Sequence, residues 1–188
     1  MTNLSRADDE LRQHLLVLRC QAGDERAFAT LFEEFGERTS RYLRGILGDD
    51  ADDAQQEVWL SVYRAISTLA NPGAFRTWLF STTRRRALDH LRRRKRDAEL
   101  LVDPSDGVAV ADVPDDTTQR SLGGAADSLE SVLAGLPPPQ REVLLLRFQD
   151  DLSYAEIAVI VGCPVGTVKT RIHHAKRKLY ESLARSDQ

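Results

Sequence analysis

The sequence predicts an all-α protein of two small helical domains joined by a flexible acidic linker. Apolar residues recur at spacings of three and four on both sides of the middle of the chain, and no stretch of useful length alternates with a period of two. The middle itself, residues 97–127, holds two prolines, three glycines and eight acids with no helical period, which is the composition of a tether. The expected division is therefore 1–96, 97–127 and 128–188.

Charge follows the same division. The first block has 17 basic and 14 acidic residues, the linker one and eight, and the last block eight and seven, so a net charge of −3 hides two slightly basic blocks around an acidic one. The opening "MTNLSRADDELRQ" has no basic stretch followed by an apolar run, and nowhere do 18 apolar residues follow one another. The expectation is a cytoplasmic protein with no signal peptide and no membrane insertion. Two cysteines, Cys20 and Cys163, are too few for a disulfide framework and fit a reducing compartment.

In the first block, Ala27, Leu31 and Phe35, then Tyr42 and Ile46, form helical stripes. Val58, Val62, Ile66 and Leu69 continue the pattern over 52–70, with Trp59 and Tyr63 alongside. "NPG" at 71–73 breaks the chain before a helix that runs from about Ala74 through "RRRALDHLRRRKR". Trp78 lies on one face with Phe75 and Leu79, which favours a core position over a stacking platform for a base.

In the last block, Leu129, Val132 and Leu136 predict a short helix stopped by three prolines. "QREVLLLRF" and "DDL" follow, and then Ser153 and Glu156 form a capping box at the start of a helix that ends at Gly162. Pro164 suits the first turn of the next helix. These spacings make a helix-turn-helix. Its second helix buries Val168, Ile172, Ala175 and Leu179 against Ile157, Ala158 and Val161.

The other face of that helix carries Gly166, Lys169, Thr170, His173 and Arg177, and Lys169 to Lys178 contains five basic residues and no acid. In this motif the second helix enters the major groove of DNA. Lys169 and Arg177 would neutralise phosphates, while Thr170, His173 and His174 would meet bases. A solvated amphipathic helix is the plainer alternative. For the cluster at 84–96 the alternative is an arginine-rich helix end that complements the helix dipole.

Neither a nucleophile with its base nor a glycine-rich phosphate loop is present, so no enzyme and no cofactor are expected. A metal on Cys163, His173 and His174 would require the DNA-reading face to fold back on the turn, and no metal site is expected.

"LPPPQREVLLLRFQDDLSYAEIAVIVGCPVGTVKTRIHHAKRKL" resembles region four of the extracytoplasmic-function (ECF) sigma factors, minimal members of the sigma-70 family. "DERAFATLFEEFGERTSRYLRGILGDDADDAQQEVWLSVYRAI" and the following "FRTWLFSTTRRRALDHLRRRKR" resemble region two. The resemblance implies a subunit that binds core RNA polymerase, recognises promoter minus-10 and minus-35 elements, directs transcription initiation and is controlled by an anti-sigma factor. It implies that Asp53, Gln56, Glu57 and Leu60 contact the coiled coil of the polymerase clamp. Ala54 and Gln55 depart from the apolar pair usual there, and Trp59 stands where phenylalanine is frequent. Minus-35 recognition falls to Lys169, Thr170, His173 and His174, with Tyr154, Pro164, Val165, Gly166 and Arg177 near the DNA. Minus-10 recognition falls to the loop around Asn71 and to the basic helix with Arg84, Arg85, Arg92 and Arg93. The acidic linker would thread through polymerase as a spacer or as a mimic of nucleic acid.

The competing reading is a helix-turn-helix activator or repressor whose N-terminal helices dimerise or sense a ligand. It predicts tight DNA binding by the free chain and has no need of the segment at 52–60.

Overall fold

The computed structural model describes residues 3–100, 133 and 135–186, all-helical with turns between. The first block contains α1 (Asn3–Gln21), α2 (Glu25–Leu47), α3 (Ala51–Ala65) and α4 (Phe75–Leu100). The last contains α5 (Pro138–Phe148), α6 (Tyr154–Val161) and α7 (Val165–Ser186). Residues 101–127 of the linker, and Leu129 and Val132 of the short helix before the prolines, lie outside the described residues. α4 continues through Asp97–Leu100, so the helix runs past the expected domain boundary. Ala98, Glu99 and Leu100 are good helix formers, and the first proline waits until Pro104.

Local signals set the first four helices. Asp24 caps α2 by accepting from the Arg26 and Ala27 amides and is held by the Arg19 guanidinium at 2.7 Å. Between α3 and α4, Gln21 donates its side-chain amide to the carbonyls of Ile66 and Leu69, while Asn71 accepts from the Gly73 amide. Leu16, Val17, Leu31, Phe35, Val58, Val62, Phe75 and Leu79 fill the bundle core. Trp59 joins them and donates its indole N–H to Thr39 Oγ1 at 3.2 Å. Trp78 is half-buried against this core, its ring 6.1 Å from that of Phe75.

The two blocks are packed on one another. Tyr42 of α2 and Phe80 of α4, both fully buried, belong to the same cluster as Val143, Leu146, Leu152, Ile157 and Val168. Their rings meet edge-on at 5.8 Å. α6 lies against α4, and α5 against α2. At the second crossing a Cβ on Gly45 would come within 2.4 Å of Leu145 Cδ1, so the absence of a side chain permits the approach. Arg141 adds a bond to the Gly45 carbonyl at 3.3 Å.

Two acids complete the contact. Glu142 Oε1 accepts from Tyr42 Oη at 2.8 Å and from Arg84 Nε at 2.7 Å. Asp150, fully buried in the loop after α5, accepts from Arg38 Nε at 2.9 Å, and its carbonyl accepts from Arg38 and Arg76. Among the described residues, no helix is long and apolar enough to cross a membrane.

Candidate nucleic-acid and polymerase interface

The helix-turn-helix is built by the expected residues. Ser153 Oγ accepts from the Glu156 amide at 3.2 Å, and Glu156 Oε2 accepts from the Ser153 amide at 2.8 Å. Gly162 takes the left-handed conformation at φ 72°, and the amides of Gly162 and Cys163 both bond the Ala158 carbonyl. Pro164 stands one step earlier than expected, at the N-cap of α7, where its carbonyl accepts from Thr167 and Val168. Val168, Ile172 and Ala175 are buried.

Opposite that stripe, Lys169, Thr170, His173, His174 and Arg177 are exposed, as are Pro164, Val165 and Gly166 at the start of the helix. Thr170 turns its hydroxyl back to the Gly166 carbonyl at 3.0 Å, leaving its methyl and oxygen lone pairs outward. Arg177 has Glu181 at 3.7 Å as a loose partner. Tyr154 is half-buried beneath the Arg147 guanidinium, 5.5 Å from the ring centre. Lys176, not singled out from the sequence, lies 5.0 Å over the Phe148 ring. Cys163 is half-buried beside Arg171, 3.9 Å from its guanidinium, and both cysteines are free.

The arginine cluster divides in a way the sequence does not show. Arg85 is exposed, and Arg92 pairs with Asp89 on its own helix at 2.9 Å. Arg84, expected at DNA, is bound to Glu142 instead, because it lies on the side of α4 that meets the last block. Arg93, also expected at DNA, grips Glu57 with both terminal nitrogens at 3.0 and 3.1 Å. That hydrogen bond, ahead of the opposing effect of partial burial, holds the Glu57 carboxyl below its ordinary range. Asn71 is exposed, with its side-chain oxygen committed to the turn.

Asp53, Gln56 and Leu60 are exposed together on α3, with Glu57 half-buried between α3 and α4. Ala54 is buried and Gln55 donates to the Gly36 carbonyl at 2.8 Å, so the unusual pair serves the bundle. Sequence reasoning missed the aromatic ridge next to this surface. Phe32 is 47% and Tyr63 56% exposed, and they pack edge-on against Trp59 and Phe28 respectively. The signal was the excess of aromatics on α2 and α3 beyond what one buried stripe accommodates.

A sigma-70 region 2 model matches residues 31–97, and a sigma-70 region 4 model matches residues 126–179. The chain is 30% identical to the ECF RNA polymerase sigma-E factor of Haemophilus influenzae over 91% of its length and 95% of the relative's. It is also 30% identical to the RNA polymerase sigma-H factor of Pseudomonas aeruginosa, over 89% of this chain and 92% of that one. Among solved structures, the sigma factor RpoE of Bartonella quintana, in complex with the anti-sigma factor NepR, shares the fold at a TM-score of 0.66 and 24% identity. That likeness covers 84% of this chain and 96% of RpoE. CnrH, in complex with the cytosolic domain of CnrY, does so at 0.64 and 24%, over 94% and 99%. The chain belongs to the sigma-70 family, in its ECF group, and is therefore a sigma factor, a transcription-initiation subunit of RNA polymerase.

Proposed function

We propose that this chain docks on core RNA polymerase through Asp53, Gln56 and Leu60 of α3, with Glu57 beside them, and so carries two promoter-reading surfaces to DNA. Residues 128–188 read the minus-35 element through α7. Lys169 and Arg177 take phosphates, Thr170, His173 and His174 meet base edges, and Pro164, Val165, Gly166 and Tyr154 lie along the backbone. Residues 1–96 read the minus-10 element through Asn71 and the α4 arginines. Of these, Arg85 and Arg92 are exposed, whereas Arg84 and Arg93 must first leave acidic partners. Residues 97–127 connect the two. The chain works in the cytoplasm as a binding subunit rather than an enzyme, and an anti-sigma factor holds it in check, as NepR is bound by the structural neighbour RpoE.

One observation supports this reading most directly. A capped, glycine-turned helix pair buries one stripe of α7 and turns Lys169, Thr170, His173, His174 and Arg177 to the opposite side, cationic and hydrogen-bonding side chains that a DNA groove accepts. The test is titration of the purified chain against bacterial core RNA polymerase lacking any sigma subunit, with Asp53→Lys and Leu60→Asp variants beside it. Saturable binding that both variants weaken is expected. Absence of binding, with specific duplex recognition by the chain alone, would overturn the reading in favour of a helix-turn-helix regulator.

A further inference from the structure

The loop between α3 and α4 carries Asn71 and takes its shape from outside itself. It is made of two short turns. In the first, Ile66–Thr68, the Leu69 amide donates to the Ile66 carbonyl at 3.2 Å, and in the second, Pro72–Ala74, the Ala74 amide donates to the Asn71 carbonyl at 3.0 Å. Leu69, Ala70 and Asn71 join the turns, with Leu69 and Asn71 both extended at ψ 105° and 98°. An extended joint has no helix or ladder of its own to stiffen it, so the angle between the turns is set by what the loop is tied to.

The ties come from α1. Gln21 Nε2 donates to the Ile66 carbonyl at 3.1 Å and to the Leu69 carbonyl at 2.8 Å, across 45 and 48 residues of sequence. Both neighbours are acceptors, so the amide must present its NH2, whose two hydrogens match the two carbonyls. The second bond fixes the point where the loop leaves the bundle, because Ala70 and Asn71, immediately beyond, are exposed. His14 lies seven positions before Gln21, about two turns along the same side of α1. Its Nδ1 would stand 3.5 Å from a Cβ placed on Gly73, so the imidazole backs the second turn. Ile66 is buried and Leu69 half-buried beneath the loop, while Ser67, Thr68 and Gly73 are exposed with Ala70 and Asn71.

We propose that Gln21 is a positioning residue for promoter choice, holding the loop around Asn71 in the shape that discriminates bases of the minus-10 element. The inference rests on the proposed function, in which this loop meets that element. Gln21 is half-buried and acts through the two carbonyls it binds. A base-reading group discriminates only when held within about 0.5 Å of its productive place. A loop released from Gln21 adopts several shapes that suit different bases, so the preference falls while docking on polymerase through α3 continues.

The test uses core RNA polymerase loaded with each full-length chain. Duplexes are first selected by the wild-type holoenzyme from a random pool and then varied one base pair at a time through both promoter elements. Gln21→Met keeps the length of the side chain and removes both donors, whereas Gln21→Lys restores a donor. Gln21→Met is expected to lose about fivefold or more of the preference at one or more minus-10 positions, the discrimination that one base contact supplies, with minus-35 preferences unchanged. Gln21→Lys is expected to keep the minus-10 preference and to tighten all sequences alike through its charge. A merely structural role would lower the melting temperature and leave base preference alone. Gln21→Met with wild-type preferences, or with the preferences at both elements lost in equal measure, therefore refutes the inference, as does a Gln21→Lys chain no more selective than Gln21→Met. Asn71→Ala separates the two readings. If it alters minus-10 preference and Gln21→Met does not, the positioning role alone fails; if neither alters it, the minus-10 assignment of the loop falls and takes this inference with it.

Discussion

Glu57 and Arg93 form a two-nitrogen, two-oxygen ion pair that ties α3 to α4, with His90 Nε2 a further 3.4 Å from the same carboxylate. The sequence assigns one of these residues to polymerase and the other to DNA, and in the structure each is the other's partner. Charge reversal at Glu57 therefore places a cation among Arg93, His90 and Arg86 as well as changing the docking surface. Glu57→Lys should lower the melting temperature and weaken polymerase binding together. Asp53→Lys should weaken binding alone, with stability within about 0.5 kcal/mol of wild type, since Asp53 is exposed. Thermal unfolding beside the polymerase titration separates the two effects, and a Glu57→Lys chain as stable as wild type would show the pair to be incidental.

The titration of Asp150 gives a second expectation. Burial, opposed by Arg38, Arg76 and Arg41, pushes its carboxyl from 3.8 up to about 6. A carboxyl raised in the folded chain contributes stability that is full below about 4 and is lost as pH rises through about 6. The packing of the two blocks should thus tighten on acidification from pH 7.5 to 5, by at most about 1.4 kcal/mol. Urea unfolding at the two pH values should show a difference in wild type that Asp150→Asn removes. An equal pH response in both chains would exclude Asp150 as its source.

Tyr42 offers a third. Its hydroxyl is wholly buried on Glu142, and burial first, then the Glu142 charge, push its pKa well up, so it stays a neutral donor. Tyr42→Phe removes one of the two donors to Glu142 while keeping the ring on Phe80. It should cost about 1–3 kcal/mol by denaturant unfolding. Tyr42→Ala also empties the shared core and should cost about 3–5 kcal/mol.

On DNA, Lys169→Ala and Arg177→Ala should each reduce the salt slope of binding to a minus-35 duplex by about 1 and weaken all sequences alike. His173→Ala and His174→Ala should leave that slope nearer wild type and relax the choice of base. A sequence-independent loss from the histidine variants would move them from base contacts to backbone contacts.

The helix-turn-helix is legible because each of its signals is local. Ser153 and Glu156 are three residues apart, and Gly162 marks the end of one helix while Pro164 marks the start of the next. The docking of the blocks is not legible, because its partners are 58 to 112 residues apart and nothing near Arg38, Tyr42 or Arg84 in sequence announces an acid. In a run such as "RRRALDHLRRRKR" composition shows that the helix is cationic. Which arginine faces solvent and which faces carboxylate depends on where α3 and α5 come to lie beside α4. Asp150 reads as an ordinary loop acid until the crossing buries it. α1 also passed without an assigned stripe, since Leu11, Leu15 and Leu18 remain outward while only Leu16 and Val17 beside them enter the core.

The side chains shared between the blocks also bear on handling the protein in pieces. A chain cut after Leu100 would leave Tyr42 and Phe80, each 0% exposed in the intact protein, facing water together with Arg38, Arg76 and Arg84 stripped of their acids. Such a fragment would carry a sticky, strongly cationic scar and should self-associate or cling to any polyanion, so DNA retention by the isolated first block would report the wound rather than promoter recognition.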